Sequence, residues 1–146
     1  MESTMQNPAL VAPKPISRAL ALTFWIFTAL FCLEMCFTAY YELLPQGAQA
    51  FARLGFPGGY FRFELSLAKL VGVAVLLLPI RPARVNIRIK EWAYAGFAIN
   101  LVSAIIAHVS ISDRLLAFVP STLTSMLWAV SYFSWHRLQT TRISES

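Results

Sequence analysis

Four apolar runs dominate the chain, separated by short polar stretches rich in Pro and Gly. The first extends from about Ala19 to Tyr41 and is broken only by Glu34. The second, from about Tyr60 to Leu78, holds Arg62, Glu64 and Lys69; the third runs from about Glu91 to Ser110 and the fourth from about Leu115 to Trp135. Each is close to the ~20 residues a helix needs to cross ~30 Å of hydrocarbon. The pattern predicts an all-α fold, an integral membrane four-helix bundle over residues 18–137, with a tail at 1–17 and another at 138–146. Ala48-Gln49-Ala50 resembles a signal-peptide cleavage site but lies far past the first apolar run, so that run is read as a retained helix. Residues 46–59 form the longest predicted loop, and its Phe51, Leu54 and Phe56 suit a membrane interface.

Composition agrees with this pattern. Of 146 residues, 58% are hydrophobic and 13% charged, whereas soluble domains hold about 45–50% and about 25%. A soluble fold of this size has too much surface for its volume to hide that apolar content. The 12 Lys and Arg exceed the 7 Asp and Glu, yet the basic residues flank the apolar runs rather than forming one patch, and no nucleic-acid motif accompanies them. Lys14, Arg18, Arg81, Arg84, Arg88, Lys90, Arg137 and Arg142 fall on one side of a four-span chain, against Arg53, Arg62 and Arg114 on the other. By the positive-inside rule both termini are expected in the cytoplasm.

Polar groups inside the spans are the candidate site. A charge near the bilayer centre costs ~2.5–3.5 kcal/mol, so Glu34, Glu64 and Lys69 unpaired would cost ~8–10 kcal/mol. That rivals the ~5–15 kcal/mol stability of an ordinary domain. These groups must pair, stay neutral or line a wet cavity. At 1.5 Å per residue, Lys69 lies ~13 Å from Tyr60, near mid-membrane, and Asn100 falls at a similar depth. Glu34, Glu64 and His108 fall in the outer half. The simplest pairing sets Lys69 against Glu34 of the facing helix, with His108 able to hydrogen-bond either carboxylate. Trp25, Tyr41 and their aromatic neighbours on the first span are either lipid-facing or walls for a flat ligand. Gly96, Asn100, Ser103 and Ala107 share one helix face and suit close packing. Cys32 and Cys36, four apart, read as small packing residues.

The ordered blocks Leu54-Gly55-Phe56-Pro57, Ala68-Lys69-Leu70-Val71-Gly72, Lys90-Glu91-Trp92-Ala93-Tyr94-Ala95-Gly96-Phe97, Ala104 to His108 with Asp113, and Ser131-Tyr132-Phe133 with Trp135-His136-Arg137 resemble the DoxX-like family of small membrane proteins. The chain departs from that family's usual pattern at Asn100, Ala107 and Ser112. The resemblance implies a four-helix membrane bundle in a bacterial cytoplasmic membrane, with Lys69, Glu91 and His108 as family-matching polar positions. Through relatives associated with quinone and thiosulfate chemistry, it also brings in quinone as the cofactor to consider.

Three readings are open to these residues. In the first, Lys69, Asn100, His108, Glu34, Tyr41 and Trp25 bind a hydrophobic small molecule, quinone- or terpenoid-like. The protein then serves as a subunit or accessory of a membrane redox system, with a partner redox protein or a homo-oligomer and no metal set of its own. In the second, Glu34 or Glu64 is a catalytic acid in isomerisation or cyclisation of a lipid-like substrate. In the third, the protein is a structural or chaperone-like membrane partner and the polar groups are packing devices.

Overall fold

A computed structural model describes residues 17–56, 59–79 and 81–143. Most of the expected N-terminal tail with Lys14, the loop residues Pro57 and Gly58, and the last three residues lie outside the described part. The described residues form five α-helices and no strand: α1 Arg18–Leu43, α2 Pro45–Arg53, α3 Gly59–Leu77, α4 Ala83–Ser110 and α5 Val119–Ile143, with a single 3-10 turn at Leu115–Phe118.

Prolines set most of these boundaries. Leu44 precedes Pro45 and is driven to an extended conformation, φ −76° and ψ 159°, because a following proline ring excludes the helical region. Pro45 then opens α2 at its first position, where the missing N–H costs nothing. Pro82, extended at φ −74° and ψ 162°, caps α4. Pro120 occupies the first turn of α5, so it does not kink that helix.

Three boundaries differ from the sequence reading. Helix α4 begins at Ala83 rather than near Glu91, because Arg84, Arg88 and Lys90 are good helix formers that hydropathy alone excludes. Helix α5 runs to Ile143, past the expected span end near Trp135, and Leu138 is buried in the core. The first part of the expected loop at 46–59 instead belongs to the amphipathic helix α2, Pro45–Arg53.

The four longer helices pack in a ring in the order α1, α3, α4, α5, with α5 returning to α1. Phe31 of α1 meets Phe97 of α4 across the centre, ring centroids 5.0 Å apart at 87°. Gly72 lets α3 come up against that pair, since a Cβ there would lie 2.6 Å from Cζ of Phe97. The outward faces carry Leu33, Phe63, Trp92 and Leu115, each more than 60% exposed. Such a surface would drive association in water and is ordinary in lipid. Residues Arg18–Leu43, Ala83–Ser110 and Leu115–Thr141 are long and apolar enough to cross a membrane. Helix α3 has 19 residues and carries Arg62, Glu64 and Lys69.

Candidate functional site

On α3, Arg62, Ser66 and Lys69 recur at four- and three-residue spacing and so share one face. That face meets the end of α1. The Lys69 ammonium donates to Oε1 of Glu42. Ser66 Oγ donates to Oε2 of the same carboxylate at 3.0 Å, and Arg62 donates to the carbonyl of Leu44 at 2.9 Å. Lys69 and Glu42 are both buried, with side chains 8% and 9% exposed. The expected partner, Glu34, is therefore replaced by Glu42. Glu34 instead faces α5, where Thr124 Oγ1 donates to it at 3.5 Å. The reason is register: the turn after Leu43 brings the last turn of α1, not its middle, against Ser66 and Lys69. Glu42 was overlooked because it sits just past the apolar run. The polar stripe 62, 66, 69 was the sequence signal that an acid at the end of α1 would face it.

Behind this pair, α3 and α4 part to leave a groove of about 380 Å³, open along one side. Its walls are Leu65, Ala68, Val71 and Val75 of α3 and Ile89, Trp92, Ala93 and Gly96 of α4. Lys69 and Asn100 are its polar lining, with Phe97 and Gly72 where the two helices touch. A Cβ on Gly96 would meet nothing within 4 Å, so the groove has room at that level. At the far end of α3, the buried Lys90 of α4 donates to the Leu76 carbonyl at 2.8 Å. A cation there satisfies a carbonyl of the last turn and suits the negative end of the helix dipole.

The structure thus brings Lys69 and Asn100 together and separates the rest of the expected constellation. Glu64 is exposed beside Tyr60, Arg62 and Phe63 in a different, shallow groove. Trp25 and Tyr41 point outward, 52% and 41% exposed, and leave α1 in different directions, ~160° apart at 3.6 residues per turn. His108 sits at the α2 end of the bundle: its Nδ1 pairs with Oδ2 of Asp113 at 3.0 Å, and its ring lies against Phe118 at 5.7 Å. Asp113 also accepts from the Arg114 backbone N–H at 2.9 Å and faces Arg53 of α2 at 3.6 Å. These contacts, the His108 hydrogen bond first, hold the Asp113 carboxyl below its ordinary range.

A second polar feature was missed. Thr28 of α1, Ser131 of α5 and Tyr94 of α4 form a buried hydroxyl chain, with both O···O distances 2.7 Å. Trp128 Nε1 donates to the Tyr94 carbonyl at 3.0 Å. Among the described residues no buried side-chain N or O lacks a partner, as a lipid environment demands. No group of three or more His, Cys, Asp or Glu converges as a metal site among them.

The DoxX-like family profile covers residues 26–130, which includes the Lys69 pair, the groove and the His108–Asp113 contact. No curated protein and no solved structure matches the chain.

Proposed function

The chain belongs to the DoxX-like family, and we propose that this integral membrane protein holds a hydrophobic small molecule, quinone- or terpenoid-like, between α3 and α4. In this reading it serves as a subunit or accessory of a membrane redox system, with a partner redox protein carrying the electrons or with a second copy of itself as its assembly partner. The observation that carries the reading is the α3–α4 groove. Its volume of about 380 Å³ falls in the range of small-molecule sites, ~300–1,000 Å³. Its walls are apolar apart from Lys69 and Asn100. Asn100 offers both an amide donor and an acceptor to a ligand carbonyl or hydroxyl.

The same reading takes α1, α3, α4 and α5 as four crossings of a bacterial cytoplasmic membrane with both termini inside. In α3, Arg62 and Glu64 lie in the first two turns, near an interface, and Lys69 is neutralised by Glu42. Its 19 residues give ~28 Å, close to the hydrocarbon thickness. The alternative of acid–base catalysis by Glu34 or Glu64 has less support, because neither carboxylate lines the groove.

The test is native mass spectrometry of the protein in mild detergent with added ubiquinone, menaquinone or a terpenoid alcohol. One stoichiometric adduct is expected, lost in Gly96→Leu, which fills the groove without striking the core. Equal retention by the Gly96→Leu variant, or no adduct with any of these molecules, overturns the reading.

A further inference from the structure

We propose that the α3–α4 groove also seats an acidic membrane phospholipid. Arg81 and Arg88 hold its phosphate, and one acyl chain lies along Ile89, Trp92 and Gly96. The inference rests on the reading of this groove as a ligand site and adds the chemistry of the molecule that occupies it in the membrane. A quinone- or terpenoid-like ligand then competes with that chain for the same walls.

Charge gives the first argument. Arg81 lies in the connection between α3 and α4, and Arg84 and Arg88 lie on the first turns of α4, at the end of the groove marked by Ile89. All three are exposed. None has a hydrogen-bond or ion-pair partner among the described residues. Lys90, by contrast, is turned inward on the Leu76 carbonyl. Glu91, the one acid of this stretch, falls on the opposite side of α4 from Ile89 and Gly96 by helical register, and Arg84 shares that side; Arg88 stands one turn before Trp92, toward the groove. The mouth therefore offers the exposed guanidinium groups of Arg81 and Arg88, whose planar donors match the oxygens of a phosphate.

Length gives the second argument. From Ile89 to Asn100 the groove follows α4 for ~17 Å, at 1.5 Å per residue. That is about half of the ~30 Å hydrocarbon layer, the depth of one leaflet. The groove starts at the basic end and stops near the level of Lys69 and Asn100, so it suits a chain entering from one headgroup layer. Trp92 stands at its mouth, 80% exposed, and tryptophan is the residue type that settles at headgroup level. A phospholipid meets all three conditions: an anionic phosphate, a chain one leaflet deep, and a head at the level of the indole.

The experiment uses the full chain in mild detergent with equal amounts of phosphatidylglycerol and phosphatidylcholine of identical chains, read by native mass spectrometry. In the first lipid the phosphate is the sole charge; in the second a quaternary amine offsets it. Preferential retention of one phosphatidylglycerol is expected. The preference should fall by about fivefold for each arginine removed in the series Arg88→Gln and Arg81→Gln/Arg88→Gln. Arg137→Gln, at the same end but on α5, should leave it unchanged, and Gly96→Leu should lower retention of both lipids. Equal retention of the two lipids by the native chain overturns the proposal, as does a preference that survives the double change. An equal loss in Arg137→Gln would assign the effect to overall charge and also overturns it. A retained quinone with no retained lipid overturns it too, while leaving the small-molecule reading intact.

Discussion

Lys69 and Glu42 are each buried and each the other's counter-ion, with Ser66 on the second carboxylate oxygen. Such a pair need not add net stability, but removing one partner leaves a buried charge, typically a loss of ~3–5 kcal/mol. Lys69→Met and Glu42→Gln should each lower the thermal midpoint in detergent by that order. The double variant Lys69→Met/Glu42→Gln should recover part of the loss, and additive losses would show that the two groups are not coupled. Asp113 makes a prediction of opposite origin, outside the spanning segments. Its folded carboxyl lies below the ordinary value of 3.8, chiefly through His108. Its contribution is therefore complete above that value and lost as pH falls through the lower folded value. Acid titration of stability should show this limb in the native chain and not in Asp113→Asn. An identical acid limb in both would remove Asp113 from the α2 end's anchoring contacts.

At the scale of elements, α2 is the one helix absent from the sequence reading. It has nine residues, too few for a periodic pattern to stand out, and Pro45, Gly47 and two glutamines read as loop. Its position depends on Gly47: a Cβ there would fall 2.3 Å from the Tyr41 carbonyl and 2.8 Å from the Glu42 backbone. Gly47→Val should lift α2 from the end of α1 and destabilise the protein by ~1–3 kcal/mol, the usual scale of overpacking. Faster hydrogen exchange confined to residues 45–53 would be the signature; unchanged exchange there would mean that α2 is held by other contacts. The longer helices were legible because hydropathy and length suffice for a span, as Ala19–Tyr41 shows against the observed Arg18–Leu43. The candidate site was only partly legible. Lys69 and Asn100 share the groove as their depth suggested, but depth does not reveal which way a side chain faces. Glu34 therefore turned out to face α5, and His108 the α2 end. Thr28 and Ser131 gave no signal at all, since a hydroxyl in a span is unremarkable until its partners are known.

For the whole molecule, the hydroxyl chain links α1, α4 and α5 at one level. Helix α3 is held near its middle by Glu42 on Lys69 and at its last turn by Lys90 on the Leu76 carbonyl. The four-crossing arrangement proposed above has a direct check. Single cysteines at Ala83 and Gln139, in a background with Cys32 and Cys36 replaced by Ala, should react with an impermeant reagent from one side of sealed vesicles. Cysteines at Ala52 and Ser112 should react from the other. Labelling of residues 83 and 139 from opposite sides would refute an even number of crossings between them.

The groove opens sideways along α3 and α4 rather than through a loop at either end. A ligand of the kind proposed would therefore arrive by two-dimensional diffusion within the bilayer, after it has already left water. Its occupancy follows its mole fraction among lipids rather than its aqueous molarity, and diluting a fixed amount of ligand with more bilayer lowers occupancy even when the water volume is unchanged. Very insoluble molecules that are rare in water, yet concentrated in membrane, are the ones such a side door selects.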